Sequence, residues 1–256
     1  MSTSLHYRPA APLDAFVSTI WYYAGYRQPH ALERILPDGT LGFVVNLDED
    51  RIRVYDREDP SRCETFRGAV ITGARAEHFI IDTAEQHCVL GVQFRPGGAW
   101  PFLEFPADQL QGLHVPVEAG LRERILEAAT PVARCKVMEA VLLERARGKL
   151  ELRTDIDAAI RKFEANCRPE QFLPRRFTER FRGTVGLTPK TFARVRRFQT
   201  ALRKIARGGD PDWSDIALSC GYYDQAHFNH DFRAFSGINP GTYVAKRTPH
   251  LNHVPL

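Results

Sequence analysis

The sequence predicts an α+β protein whose N-terminal part, residues 1–150, is a small antiparallel β-barrel with helices. Residues 151–256 are predicted to form an all-α unit with two helix-turn-helix motifs. Three observations support this division: short strand-like runs in the first part, an internal repeat in the second, and net charges of opposite sign. A chain of 256 residues also suits two domains of about 100–200 residues each.

The N-terminal part alternates short apolar runs with glycine- and proline-containing turns. Short strands at regular spacing favour an antiparallel barrel or sandwich. The runs predicted as strands are Leu41–Asn46, Ile52–Tyr55, Ala69–Thr72, His78–Ile81 and Cys88–Phe94. From Glu118 to Leu150 we expect two amphipathic helices, one of them Arg134–Arg147. These helices serve either as a dimer surface or as the connector to the second part.

The two parts carry opposite net charges. Residues 1–150 hold 17 Lys and Arg against 20 Asp and Glu, a net of −3, whereas residues 151–256 hold 18 against 11, a net of +7. Within residues 161–207 the count is 14 against 3. Clustered cations repel one another unless a polyanion screens them, and nucleic acid is a common partner because phosphate contacts release counterions. A solvated basic helix face would give the same count, so charge alone does not decide.

The basic part contains a duplicated segment. Residues 177–192 read FTERFRGTVGLTPKTF and residues 228–243 read FNHDFRAFSGINPGTY, and each match is offset by 51 residues (177 to 228, 192 to 243). In each copy two phenylalanines mark one helix face, a glycine ends that helix, and Thr-Pro or Asn-Pro begins the next. The repeat therefore predicts two copies of one helix–turn–helix unit.

A short helix ahead of the second copy completes a helix-turn-helix motif. We expect residues 213–217 to begin it with Ser214 as the cap, residues 220–222 to end it, and Asp224 to cap the next helix. With the phenylalanines buried, the opposite face would read bases and phosphates. That face carries Gln225, Asn229, His230 and Arg233, and the corresponding face of the first copy carries Arg175, Arg176, Thr178, Glu179 and Arg182.

A long amphipathic helix is predicted between the two copies, from Pro189 to Arg207. It would hold the two reading units at a set separation, so that they reach successive major-groove segments roughly 34 Å apart. Its apolar positions are Phe192, Val195, Phe198, Leu202 and Ile205. Its other faces carry Arg194, Arg196, Arg197, Arg203 and Lys204, of which Arg196 and Arg197 are expected to contact DNA phosphates.

These motifs resemble the AraC/XylS family of transcriptional regulators. The segment DIALSCGYYDQAHFNHDFRAFSGINPGTY is similar to the family's C-terminal signature, and FRGTVGLTPKTFARVRRFQTAL resembles its linker helix and the end of its first motif. The matching positions of the first segment are Ile216, Ala217, Gly221, Tyr222, Gln225, Phe228, Phe232, Gly237 and Pro240. The resemblance covers about 90 residues. It implies two helix-turn-helix units and control of promoters, with activation the commoner mode.

The first unit departs from the family pattern. Leu173 stands where a capping Ser or Thr is usual, and Cys167, Arg168 and Pro169 occupy the short stretch where a positioning helix should run. Glu179 stands where the family often has a DNA-contacting arginine, although a carboxylate can accept a hydrogen bond from cytosine.

The runs LPDGTLGFVVNL and GVQFRPGGAW resemble a cupin-like domain that often precedes this type of DNA-binding unit. This similarity implies a sensory or dimerisation role, and a small barrel can hold one small molecule in its mouth. The residues expected to line such a pocket are Trp21, Tyr23, Phe43, Phe79, Phe94 and Arg95. Arg95 would bind a ligand carboxylate, and the alternative is that these aromatic residues simply form the core.

The sequence carries few signs of other chemistry. Residues 1–120 contain no paired histidines at metal-binding spacing, no phosphate-binding glycine loop or nucleophile elbow is present, and the five cysteines lack a C-x-x-C pair. We therefore expect a non-enzyme without metal or cofactor, with reduced cysteines. No run approaches the length of a membrane span and no signal peptide is evident, so a cytoplasmic protein is expected. The family resemblance implies a bacterial one.

Two functional hypotheses follow from the sequence. The first is a sequence-specific transcriptional regulator, with double-stranded DNA as its partner. RNA polymerase, a small-molecule effector and a second copy of the chain are further candidate partners. The second hypothesis is a cupin-type small-molecule-binding protein or enzyme with a weakened DNA-binding tail, which the departures in the first unit keep open.

Overall fold

The computed structural model describes residues 2–117, 119–165 and 174–256. Eleven strands and eight α-helices occur in these ranges, with all the paired strands antiparallel. The strands precede the helices, apart from one strand near residue 254. This order confirms the α+β class with an antiparallel N-terminal part and a helical C-terminal part.

The strands form two sheets. In chain order they are β1 (Thr3–Tyr7), β2 (Val17–Ala24), β3 (Leu32–Ile35), β4 (Gly42–Asn46), β5 (Ile52–Tyr55), β6 (Cys63–Phe66), β7 (Ala69–Thr72), β8 (Phe79–Asp82), β9 (Cys88–Phe94), β10 (His114–Pro116) and β11 (His253–Pro255). The first sheet has the order β1-β2-β9-β4-β7-β10, and the second has the order β11-β3-β8-β5-β6.

The strand pairing does not form the closed barrel that was predicted from the sequence. Within the described residues each sheet ends in strands that pair on one side, so hydrogen bonds do not run continuously round a single barrel. The predicted strands themselves agree closely, since Ile52–Tyr55, Ala69–Thr72 and Cys88–Phe94 have the expected bounds. The apolar runs thus predicted where strands form, whereas closure depends on pairing between distant segments.

The helices are α1 (Leu121–Leu126), α2 (Pro131–Ala146), α3 (Thr154–Glu164), α4 (Arg175–Val185), α5 (Pro189–Ala206), α6 (Trp213–Ser219), α7 (Gln225–Ser236) and α8 (Pro240–Lys246). Helices α1 and α2 are the two expected between Glu118 and Leu150. Helix α2 packs on β1 and β2 of the first sheet, where Glu139 accepts a hydrogen bond from the Tyr7 hydroxyl at 2.8 Å. In the single chain these helices therefore cover the sheet, and a dimer role for them stays a prediction.

Both parts of the chain share one hydrophobic core. A single cluster of buried side chains runs from Phe43 and Val45 in the sheets to Phe198 and Phe232 in the helices. The phenylalanine pairs of the repeat are on the inner side as predicted: Phe181, Phe228 and Phe232 are fully buried. Helices and sheets therefore stabilise each other, whereas two separate domains would each have a core of their own.

Strand β11 was not predicted from the sequence. It pairs antiparallel with β3, so that Val254, which is fully buried, lies opposite Arg34. The backbone of Leu36 also donates a hydrogen bond to the Asn252 carbonyl at 2.8 Å. Residues that follow the helix-turn-helix units therefore complete a sheet of the N-terminal part.

Phe232→Ala should strongly destabilise the protein. Phe232 is fully buried, with ring centroids 5.1 Å from Phe198 and 5.6 Å from Tyr243. Truncating such a side chain costs about 3–5 kcal/mol of unfolding free energy. Denaturant unfolding would measure this, with Leu218→Ala as the control because Leu218 is 62% exposed and should change stability by at most about 0.5 kcal/mol. Equal stabilities of the two variants would contradict the assignment of Phe232 to the core.

Candidate nucleic-acid interface and internal cavity

The two copies of the repeat have the same local geometry. Helix α4 ends at Gly186 with φ of 89° and α7 ends at Gly237 with φ of 73°, a left-handed conformation that favours glycine. The side chains of Thr188 and Asn239 then cap α5 and α8 by accepting hydrogen bonds from backbone N–H groups. The duplicated helix–turn–helix unit predicted from the sequence is confirmed.

The second unit consists of α6, a short turn and α7. The cap of α6 is Asp212, which accepts bonds from the backbone of Ser214 and Asp215, so the prediction of Ser214 as the cap was wrong by two residues. Asp224 caps α7 as predicted, through the backbone N–H of His227 at 2.7 Å. Carboxylate caps at both helices fix the turn and therefore the direction in which α7 points.

The outward face of α7 presents the predicted reading residues. The side chains of Gln225, Asn229, His230 and Arg233 are exposed and line one open groove together with Trp213 and residues 239–241. Ser214 donates a hydrogen bond to the Gln225 amide oxygen at 3.1 Å, which leaves the Gln225 NH₂ group free to donate to a base. The arrangement is suited to major-groove contacts.

In the first unit, α4 plays the part of α7. Arg175 and Arg176 are exposed and Thr178 is half-buried. Glu179 accepts a hydrogen bond from Arg175 at 2.7 Å, and Arg182 forms an ion pair with Asp108 of the N-terminal part at 3.2 Å. Part of the expected basic face is therefore neutralised within the chain. The departures at Cys167, Arg168, Pro169 and Leu173 lie outside the described residues.

Three arginines of α5 bind other groups of the chain. Arg194 pairs with the buried carboxylate of Asp231 on α7 at 2.7 Å. Arg196 bonds to the Asp38 carbonyl and to Glu164, and Arg197 donates to the Gly221 carbonyl. Arg196 and Arg197 were expected to contact DNA phosphates, but in the folded chain they bind these neighbouring groups instead. Helical spacing alone could not show that other elements cover this side of α5. Both guanidinium groups position neighbouring elements here.

A cavity of about 360 Å³ lies between the two sheets. Of the six residues predicted to line a pocket, Trp21, Tyr23, Phe43 and Phe79 do so. Phe94 instead packs in the core, stacked on Phe102, and Arg95 is exposed, with its Nε donating to the Asp14 carbonyl. The predictions for Phe94 and Arg95 were therefore wrong, since Phe94 points to the other face of β9 and Arg95 lies beyond the strand.

The arginine of the cavity is Arg75, which was not predicted from the sequence. Its Nη2 donates to His114 Nε2 at 2.9 Å, and its guanidinium lies over the Phe79 ring at 4.3 Å. His114 Nδ1 lies 3.1 Å from the Thr72 hydroxyl. Burial lowers the pKa of Arg75 to about 10, and burial together with Arg75 lowers that of His114 to about 3. Arg75 and His114 lie 39 residues apart in sequence, so spacing gave no sign of this pair.

The acidic groups of the cavity already have hydrogen-bond partners. Glu33, which is fully buried, contacts His253 Nδ1 at 2.7 Å and His30 Nε2 at 3.2 Å. Burial alone would raise the pKa of Glu33, but the hydrogen bonds from His253 and His30 more than offset it, and the pKa is lowered. Asp38 accepts from Gln93 and Thr40. The cavity is therefore an apolar, aromatic space with polar groups at defined positions.

In the described ranges no cluster of three His, Cys, Asp or Glu side chains could hold a metal ion. No helix there combines the length and the apolar character needed to cross a membrane. The four described cysteines are free thiols, of which Cys63 is exposed and Cys135 and Cys220 are buried.

Comparison with known families matches both parts of the chain. Residues 170–246 match a family model described as a helix-turn-helix domain, and residues 5–116 match one described as a domain of unknown function, DUF6597. No curated protein matches the chain.

Among solved structures, the similar ones include ToxT from Vibrio cholerae. One ToxT structure shares 9% identity with a TM-score of 0.48, covering 95% of this chain and 98% of that chain. Another, ToxT with a bound unsaturated fatty acid, shares 10% identity with a TM-score of 0.44, covering 88% and 93%.

The geometry of the two units and the domain match together define the class of the protein: it is a DNA-binding transcriptional regulator. Its C-terminal helix-turn-helix domain is of the AraC type, as the sequence resemblance implied.

Stability should fall as the pH is lowered from about 7 to about 5. Burial is the main cause that lowers the pKa of His78 to about 4, and the positive charges of Arg34 and Arg57 lower it further. Burial likewise lowers the pKa of His114 to about 3. Because unfolded histidines take up protons near pH 6.5 and the folded ones do not, protons favour the unfolded state below that value. The loss at pH 5 is roughly 1–2 kcal/mol per histidine.

Thermal unfolding of the wild type and of His78→Gln and His114→Gln would measure this pH dependence. Each variant should show a smaller decrease in melting temperature between pH 7 and 5 than the wild type. His87→Gln, at a partly exposed surface site, is the control and should retain the full decrease. Identical pH profiles in all four proteins would contradict the burial of neutral imidazoles.

Proposed function

We propose that the protein binds specific promoter sequences and regulates them according to the occupant of its internal cavity. The observation that carries the proposal is the exposed face of α7, where Gln225, Asn229, His230 and Arg233 lie on one groove. An exposed helix with amide, imidazole and guanidinium groups on one side suits readout of base edges. In this proposal the second unit reads the major groove, and Arg175, Arg176, Thr178 and Arg182 of α4 contribute a weaker second contact.

The cavity supports the effector part of this proposal. Its volume of about 360 Å³ falls in the range of about 300–1,000 Å³ that small-molecule sites usually have. Trp21, Tyr23, Phe43 and Phe79 line it with aromatic surface. We propose that the N-terminal part is a cupin-like sensory domain, related to a barrel although its two sheets pair separately.

The remaining parts of the proposal rest on the family resemblance. They are activation of transcription through RNA polymerase, a homodimer, and action in the cytoplasm without catalysis. The alternative, a cupin-type small-molecule-binding protein or enzyme with a weakened DNA-binding tail, is favoured by one observation, the ion pairs that occupy Arg175 and Arg182 of the first unit. Selection of DNA by the purified protein separates the two.

The purified full chain should enrich one sequence motif from fragmented genomic DNA. Gln225→Ala and His230→Ala should each weaken binding to that motif by about 1–3 kcal/mol and relax the base preference at one position. Leu218→Ala, an exposed apolar change on neighbouring α6, is the matched control. Binding that weakens equally on all sequences would show that these side chains contact phosphate alone, and no enrichment at all would favour the alternative function.

The salt dependence of DNA binding should separate two classes of arginine. Arg233 is exposed on the α7 groove, so Arg233→Ala should reduce the salt slope by about one unit for a lost phosphate contact. Arg197 donates to the Gly221 carbonyl, so Arg197→Ala should lower thermal stability and leave the slope unchanged. A reduced slope for Arg197→Ala would show that α5 contacts DNA phosphates, as the sequence alone suggested.

A further inference from the structure

Arg75 is a half-buried cation that forms no ion pair with the described residues. Among the described residues that line the cavity it is the sole Lys or Arg, and no carboxylate in the described part of the chain lies within ion-pair distance of it. Its Nε is buried without a hydrogen-bond partner, and its other contacts are neutral: the Leu113 carbonyl, His114 and the Phe79 ring. Glu77 acts on Arg75 electrostatically but is ion-paired with Arg57. A half-buried guanidinium whose hydrogen-bond partners are neutral favours an anion that can pair with it.

The surroundings of Arg75 indicate what kind of anion would fit. The two carboxylates of the cavity, Glu33 and Asp38, are held by other side chains on the wall. Aromatic rings make up much of the remaining lining, including Trp21 and Tyr23. Arg75 also borders a more open hollow. There Arg57 is paired with Glu77, and Arg62 with Asp56 and Asp59, so Arg75 is the cation of this hollow that an incoming anion can pair with. A small organic anion with an apolar, ring-bearing body matches these features.

The segment from Ala74 to His78 connects this site to both helix-turn-helix units. A Cβ added at Gly186 would lie 3.0 Å from the Cβ of Ala74, and one added at Gly237 would lie 2.5 Å from the His78 ring. The backbone of His78 also donates to the Phe235 carbonyl at 2.9 Å. One short segment thus contacts the equivalent turn in both copies of the repeat, with Arg75 between the two contacts.

We propose that the cavity binds a small organic anion at Arg75, and that the segment Ala74–His78 transmits this binding to both helix-turn-helix turns. This inference rests on the proposed function. It adds the chemical class of the effector and the segment that links the cavity to the DNA-binding units. An anion that draws the Arg75 guanidinium toward it displaces the adjoining backbone. Since Ala74 and His78 pack against the turns that follow α4 and α7, that displacement changes the relative placement of the two reading helices.

Binding of two matched probes to the full chain tests the ligand class. Anilinonaphthalene sulfonate is an aromatic anion, and phenylnaphthylamine is its neutral counterpart without the sulfonate. The wild type should bind the anion roughly ten-fold or more tightly than the neutral probe. Arg75→Met should remove this preference, and the control Arg95→Met, an exposed site, should keep it. Absence of anion binding, equal affinities in the wild type, or a preference that persists in Arg75→Met would each overturn the proposal.

Affinity for the selected DNA motif tests the route. The anionic probe should change wild-type DNA affinity by roughly five-fold or more, and DNA should change probe affinity by the same factor. His78→Ala should retain probe binding and lose most of this coupling. If the chain selects no motif, the proposed function fails; if it binds its motif and the probe changes nothing, the inference alone fails.

Hydrogen exchange of the wild type provides a second measurement, in case His78→Ala does not fold. The anionic probe should alter amide exchange in residues 74–78, 183–188 and 234–239, and the neutral probe should not alter the last two ranges. Changes confined to the sheets that line the cavity would overturn the route through Ala74–His78.

Discussion

The arrangement of the molecule depends on one buried amide, that of Gln199 on α5. Its Nε2 donates to the Pro37 carbonyl at 2.8 Å and to the Asn252 side chain at 2.9 Å. Leaving such a buried group without partners costs about 1–3 kcal/mol. These hydrogen bonds therefore favour one rotation of α5 about its axis and one distance between α5 and the sheets. Phe192 and Val195 lie on the same helix against the turn at Gly39. The linker helix is thereby fixed to a turn of the N-terminal part and to the residues before β11 at once.

This constraint explains how the charges are distributed. Because α5 is packed on most sides, three of its arginines bind groups of the chain itself, and Arg194 holds the buried carboxylate of Asp231. That contact orients α7, so that its polar side faces outward while Phe228 and Phe232 stay in the shared core. The high positive charge between residues 161 and 207 is thus partly structural. The side chains that we propose to contact nucleic acid lie mainly on α4 and α7, the two helices that α5 separates.

Local sequence signals predicted local structure well, and failed where distant segments meet. Gly186 with Thr188-Pro189 and Gly237 with Asn239-Pro240 carry their own capping chemistry, so their turns were predicted residue by residue. Four of the six residues expected from the cupin-like resemblance, Trp21, Tyr23, Phe43 and Phe79, also line the cavity. Arg75 and His114, the pairing of β11 with β3 and the cover over Arg196 arise from contacts across the chain. No spacing or composition signal reports such contacts.

Strand β11 has a consequence for how the protein is made. Its His253 pairs with Glu33 across 220 residues of sequence, and β3 lies beside it in the second sheet. Domains usually fold as units in the order in which the ribosome produces them, and contacts at large sequence separation form late because loop closure must come first. In the second sheet β3 lies between β11 and β8, and β11 is absent until residues 253–255 have been synthesised. During translation the nascent sheet would therefore expose the edge of β3, which β11 covers in the complete chain.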